Sequence, residues 1–279
     1  MIKIVTDSTA GLSEAIVRAN DIRVVPLCVH FGEQAFKEHV ELSNEEFYSR
    51  LSKVKELPTT SQPSAGEFFE VFKELVTAGH EVVALTISSK LSGTWSSAMA
   101  AQEMLPEAPI TVIDSLSTAM GMYLMLDAAA QATADGATRQ ETAALLEDLK
   151  DRVSVSFVVD TLEYLAKGGR IGNAKAFLGT LLKVKPILVL QDGLIEPLEQ
   201  VRSKHKAIAR MIELTEERVN GRGKQAKISI AHAMSPDEAN VLKEEIMGRL
   251  GCAEPPISEV GPVIGTHTGP GVIGLGVYV

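Results

Sequence analysis

The sequence predicts an α/β fold in two domains, a mostly parallel sheet over residues 1–152 and a mixed sheet over residues 153–279. Three observations carry that reading. Short apolar runs alternate with helix-length segments through the first half, which is the pattern of strand–helix–strand crossovers. The second half contains a hairpin pattern, which a purely parallel sheet cannot hold. A chain of 279 residues also exceeds the usual size of one compact domain.

The elements follow in order. Ile2 to Asp7 is a buried strand, followed by Ser8-Thr9-Ala10-Gly11 and a helix from about Ser13. Ile22 to Phe31 is strand-like but broken by Pro26. Leu42, Phe47, Tyr48 and Leu51 mark one face of a helix from about Ser43. Thr59 to Ser64 reads as a polar loop before a helix over Glu67 to Ala78. That helix opens on a capping box, Ser64 with Glu67. Glu81 to Ser88 is a strand, and the loop Ser88 to Thr94 opens a helix running toward Met104. A short strand, Ile110 to Asp114, precedes a Met-rich helix from Leu116 to about Thr133, and Thr138 to Lys150 closes the first half.

From Val153 the pattern changes. Val153 to Val159 is a strand, and Leu162 to Ala166 is a helical turn ending at Gly168-Gly169. Lys185 to Leu190 and Leu194 to Val201 flank the turn Gln191-Asp192-Gly193 as a hairpin. A long helix over Lys204 to Val219, a strand over Ala226 to Ala233 and a helix opening at Ser235 follow. The Gly-rich C-terminal segment ends in a strand over Gly271 to Val279.

Composition excludes several classes. The chain is 45% hydrophobic and 23% charged, ordinary for a protein with a substantial core, and only 5% aromatic, so that core is aliphatic. A formal charge of −9 argues against nucleic-acid or anionic-membrane binding. Two distant cysteines, Cys28 and Cys252, form no disulfide framework and fit a reducing cytoplasm. The first residues do not read as a secretory signal. The apolar stretch Gly261 to Val279 holds six Gly and two Pro, which is unsuited to a membrane-spanning helix. The six histidines show no metal-ligand spacing, so no metal or cofactor is expected.

Three loops carry chemistry: Thr59 to Pro63, Leu91 to Thr94, and Gly265 to Gly271. Each gathers hydroxyls or backbone donors where a strand meets a helix, and such places favour an anion. Helix capping is the commoner role for Ser61, Ser64 and Ser92 taken singly. No loop has the Walker spacing, and no serine sits in a nucleophile elbow. His267 with Ser61 or Ser92 remains open as a base–nucleophile pair for acyl or phosphoryl transfer. Residues 161–186 carry Lys167, Arg170, Lys175, Lys183 and Lys185 against Glu163 alone. Arg202, Lys204, Lys206 and Arg210 follow without an acid. This concentration reads either as solvated helix faces or as a docking surface for an acidic partner.

Taken together, these motifs resemble the DegV family, which includes the fatty-acid-binding subunits of bacterial fatty acid kinase. The matching residues are Ile4-Val5-Thr6-Asp7-Ser8-Thr9, Thr60-Ser61-Gln62-Pro63, Ser88 to Thr94 and Val112-Ile113-Asp114-Ser115. Lys167-Gly168-Gly169-Arg170-Ile171, Lys185-Pro186-Ile187 and His267-Thr268-Gly269-Pro270-Gly271 complete the ordered set across nearly the whole chain. The resemblance implies a non-enzymatic carrier that buries a long-chain fatty acid such as palmitate. Thr60, Ser61, Ser92 and His267 would hold the carboxylate. It also implies lipid transport or fatty acid metabolism, with the carboxylate presented to a separate ATP-dependent fatty acid kinase. Arg170 and Arg202 match basic positions near that docking face. Because the Thr59 to Pro63 loop has no Arg or Lys, the head group is expected to rest on neutral donors. Met120, Met122, Leu124, Met125 and Leu126 are candidates for lining the channel, although core packing explains most of them as well.

Overall fold

The computed structural model describes residues 1–178 and 184–279. Lys183, counted above among the basic residues, lies outside the described residues. The first half runs β1 (Ile2–Asp7), α1 (Glu14–Ala19), β2 (Arg23–Val25), β3 (Cys28–Phe31), β4 (Gln34–Lys37) and α2 (Asn44–Leu51). It continues β5 (Thr59–Ser61), α3 (Ala65–Thr77), β6 (Glu81–Thr86), α4 (Thr94–Glu103), β7 (Ile110–Asp114), α5 (Ala119–Ala134) and α6 (Arg139–Arg152). The second half runs β8 (Ser154–Val158), α7 (Glu163–Lys167), β9 (Lys185–Gln191), β10 (Leu194–Val201), α8 (Lys204–Val219) and β11 (Lys227–His232). It ends with α9 (Pro236–Leu250), β12 (Ile257–Glu259), α10 (Pro262–Thr268) and β13 (Ile273–Tyr278).

The fold is mixed α/β. Strands β2-β1-β6-β7 form a parallel sheet, and β4-β3-β5 form a small antiparallel one. Strands β10-β9-β8-β13-β11-β12 form a mixed six-stranded sheet. Among the described residues, each sheet takes its strands from one side of residue 153 only. β6 is buried from Val82 to Thr86, as expected of a strand covered on both faces. Ser64 and Glu67 form the expected capping box of α3, and Thr138 with Glu141 repeats it on α6.

Helix α5 joins the two halves. It packs on β1 and β6 on one side and on β8, β11 and β13 on the other. Its buried residues spread around most of the helix, while Asp127 and Gln131 reach solvent. Met122, Met125 and Leu126 enter the core beneath the parallel sheet. Met120 instead faces the core shared by Leu27, Val29 and Phe47 with Val155, Phe157 and Ala231. The glycines of β13 let α5 approach, since a Cβ on Gly274 would lie 1.9 Å from the Met120 methyl.

Two expectations need correction. Thr59 to Ser61 is not a loop but the strand β5, hydrogen-bonded to β3. A three-residue polar strand has no apolar alternation of its own, and only its partner defines it. Likewise Gly265 to Thr268, expected as part of the loop Gly265 to Gly271, lies in the helix α10, Pro262–Thr268. Gly265 reads as a breaker, and Pro262 occupies the helix start, where a missing N–H costs nothing. The short strands β4 and β12 were also not foreseen.

Candidate functional site

The antiparallel register of β3 and β5 sets the site. Val29 lies opposite Thr60, and Cys28 opposite Ser61. Directly opposed residues share a face, and neighbours along a strand alternate. Thr60 therefore shares the face of the buried Val29, whereas Ser61 shares the face of His30. Both side chains then meet imidazoles. Thr60 Oγ1 lies 2.8 Å from His267 Nε2, and Ser61 Oγ lies 2.8 Å from His30 Nε2.

His267 occupies the last turn of α10, which packs on β3, β5 and α7. Gly168, at the end of α7, leaves room for the ring, because a Cβ there would lie 2.2 Å from His267 Nδ1. That nitrogen is buried and has no hydrogen-bond partner among the described residues. Burial, helped by the nearby Arg170 charge, pushes the His267 pKa down to about 4. The imidazole is neutral at pH 7.

Arg170 sits between the loops. Its Nε donates to the Leu91 carbonyl at 3.1 Å and its Nη1 to the Gly168 carbonyl at 2.8 Å. It thus ties the Ser88 to Thr94 loop to the turn that supports His267. Ser92 Oγ lies 2.8 Å from Thr94 Oγ1 and accepts from the Thr94 amide at 3.4 Å. Gln62 lies against the start of α4, where a Cβ on Gly93 would come within 2.6 Å of Gln62 Nε2.

Thr60, Ser61, Gln62, Ser92, Arg170 and His267 all border one cavity. Behind them its walls are apolar: Leu27, Ile87 and Leu91 from the first half, and Val155, Phe157, Leu165, Leu190, Ile195 and Val272 from the second. Its volume is about 860 Å³, including solvent at its mouth.

The structure brings the four expected carboxylate-binding residues to one cavity, with differences of detail. Of the four, Thr60 is hydrogen-bonded to His267, whereas Ser61 is paired with His30 and Ser92 with Thr94. Arg170 borders the same cavity, although the Thr59 to Pro63 segment itself holds no Arg or Lys. Arg202 is exposed at the end of β10, just before α8, and is not among the residues bordering the cavity. Of the methionine helix, Met120 lines the cavity, as do Thr118 and Ala119 ahead of it. Thr118 Oγ1 is buried without a partner among the described residues, and like His30 it gave no signal in the sequence, since its surroundings arise only through tertiary packing.

Four of the eight described basic residues in these segments pair with carboxylates. Lys167 pairs with Glu163, Lys185 with Asp160, Lys204 with Asp160 and Glu238, and Arg210 with Glu199, Glu213 and Glu217. Among the described residues no group of three or more His, Cys, Asp or Glu is arranged to hold a metal ion. No helix there is long and apolar enough to cross a membrane.

Fold and site together define an α/β protein with a largely apolar cavity that hydroxyl, imidazole and guanidinium groups also border. The chain belongs to the DegV family: the profile of the family described as "Uncharacterised protein, DegV family" matches residues 1–279. A DegV domain-containing protein of Halalkalibacterium halodurans is 42% identical over 279 residues, covering 100% of this chain and 98% of the relative. Protein DegV of Bacillus subtilis is 38% identical, with 98% of each chain covered. Among solved structures, a DegV family protein of Thermus thermophilus, reported for its fatty acid binding, superposes with a TM-score of 0.93 at 34% identity over 99% of both chains. A stearic acid-binding protein of Eubacterium ventriosum gives a TM-score of 0.93 at 31% identity, covering 100% of this chain and 98% of that one.

Proposed function

We propose that this protein binds a long-chain fatty acid such as palmitate, with the carboxylate at Thr60, Ser61, Ser92 and His267 and the acyl chain in the apolar cavity. One observation carries this reading: the hydrogen-bonded Thr60–His267 pair borders, with Ser61, Gln62, Ser92 and Arg170, a cavity whose remaining walls are mostly aliphatic and aromatic. Burying fourteen methylenes contributes about 11 kcal/mol before entropic costs. That is ample for a ligand that co-purifies. Arg170 adds a charge-assisted donor beside the carboxylate, and the neutral imidazole of His267 adds a hydrogen bond without an ion pair.

We read the protein as a carrier rather than an enzyme. Ser61 and Ser92 are hydrogen-bonded to His30 and Thr94 and not to His267, and an imidazole with a pKa of about 4 is a weak base at neutral pH. In this reading the carrier acts in the cytoplasm, in lipid transport or fatty acid metabolism, and presents the carboxylate to a separate fatty acid kinase. Arg170, exposed at the opening, and Arg202 contribute to that docking face. Residues 1–152 and 153–279 act as the two domains that enclose the ligand.

Mass spectrometry of an organic extract of the purified protein tests the binding. Stoichiometric long-chain fatty acid is expected, and its absence from protein made in several hosts overturns the proposal. An acyl phosphate formed only when carrier, ATP and kinase subunit are all present is the expected result for presentation. Equal yield from the Arg170→Ala/Arg202→Ala protein removes the docking role.

A further inference from the structure

Glu38 ties together the two elements that carry the Thr60–His267 pair. It follows β4, and β4 pairs with β3, which in turn pairs with β5, the strand of Thr60. The Glu38 amide donates to the Leu27 carbonyl at 2.9 Å, just ahead of β3, so its backbone belongs to the framework of the small antiparallel sheet. Its side chain meets α10, the helix of His267: Oε1 accepts from the Val263 amide at 2.7 Å. The carboxylate also accepts from the Ser8 hydroxyl, whose oxygen accepts from the Leu27 amide at 3.0 Å.

Glu38 is 1% exposed. A carboxylate buried so deeply is costly unless donors meet it, and here they come from the end of β1 and from α10. Amides in the first turn of a helix have no partner within it, and Glu38 supplies one. Val263 stands one turn before His267, so the two lie on the same face of α10. Two further contacts fix the same end. A Cβ on Gly261 would lie 2.5 Å from Glu38 Oε1, so glycine there lets the carboxylate in, and the Tyr48 hydroxyl donates to the Val260 carbonyl at 2.8 Å. A helix of two turns moves as one piece, so what holds its start sets where its end lies.

We propose that Glu38 is a positioning residue for the Thr60–His267 pair: by holding the Val263 amide it fixes α10 against the paired strands β3 and β5, and so keeps His267 Nε2 within reach of the Thr60 hydroxyl. Its effect on ligand binding rests on the reading of that pair as part of a fatty-acid site. Its effect on the His267 ring does not.

Glu38→Gln keeps an acceptor for the Val263 amide, and Glu38→Leu keeps the size without it. NMR titration of the His267 ring in delipidated protein reads its surroundings directly. In Glu38→Leu the His267 pKa is expected to rise from about 4 toward its ordinary 6.5, by about one unit or more, as the ring gains water. Retention of palmitate is expected to fall about tenfold. Glu38→Gln is expected to keep both near wild type. Leu242→Ala, in the core beneath α9, is the destabilised control and is expected to leave the His267 pKa in place. An unchanged His267 pKa in Glu38→Leu, a Gln variant as impaired as the Leu variant, or an equal shift from Leu242→Ala overturns the proposal. Should Glu38→Leu fail to fold, Gly261→Ala decides by the same two readouts, because its methyl intrudes on the same contact from ordinary extended backbone. A wild type without fatty acid, with the pKa contrast intact, sinks the binding reading and upholds this one.

Discussion

The Thr60 hydroxyl and His267 Nε2 lie 2.8 Å apart although 207 residues separate them in sequence. The strand β5 brings one and the end of helix α10 the other, and the pair borders the largely apolar cavity. Thr60→Val keeps the shape and removes the hydroxyl. We expect fatty-acid retention to fall roughly tenfold, the effect of about 1–2 kcal/mol for a hydrogen bond to a charged group, with a melting temperature within a few degrees of wild type. Undiminished retention by mass spectrometry would remove Thr60 from the site.

Gly168→Ala tests how His267 is held. Gly168 has ordinary helical dihedrals, so alanine meets no backbone strain, but its methyl would lie 2.2 Å from His267 Nδ1. The ring must then move away from Thr60. A destabilisation of about 1–3 kcal/mol is expected from the overpacking, together with lowered fatty-acid retention. Denaturant titration and lipid extraction read the two effects apart.

The pH dependence has a definite sign. The folded-state pKa of His267 is about 4 against an ordinary 6.5, so between these values the unfolded chain binds the extra proton. Stability is therefore fully present above about pH 6.5 and is lost as pH falls toward 4. The loss reaches up to about 3 kcal/mol. Asp7 and Glu38 act oppositely: burial pushes them up to about 6 and about 7, so their protonation on folding favours the native state as pH falls through those values. The two contributions separate by difference. Relative to His267→Gln, the wild type should lose stability between pH 6.5 and 4, whereas relative to Glu38→Gln it should gain between pH 7 and 4.5. Parallel curves for wild type and His267→Gln would contradict the buried neutral imidazole.

Arg170→Ala removes the nearby charge that helps hold His267 deprotonated. The His267 pKa, followed by NMR titration, is expected to rise while staying below 6.5, because burial is the larger cause and remains. The same substitution unties Leu91 from Gly168 and should loosen the ligand. An unchanged pKa would place the guanidinium farther from the ring in solution.

Much of the fold was legible because it rests on local patterns. The capping box of α3, the hairpin β9–β10 and the apolar run of β6 follow from periodicity and turn chemistry in contiguous residues. β5 and α10 were not legible as elements. Thr59-Thr60-Ser61 becomes a strand only by bonding to β3, and in α10 Gly265, which reads as a breaker, is where a Cβ would lie 2.6 Å from the Tyr48 hydroxyl. Arg170 was foreseen as a docking residue, yet it also borders the cavity, because the turn after α7 folds its guanidinium back on Leu91.

The sequence by itself determined the alternation of strands and helices, the aliphatic core and the ordered motifs of the DegV family, since each depends on residues near one another in the chain. Only the tertiary structure decided which histidine meets which hydroxyl. The alternation of faces along β5 sends Thr60 to His267 and Ser61 to His30, and strand register is a property of the pair of strands rather than of either one.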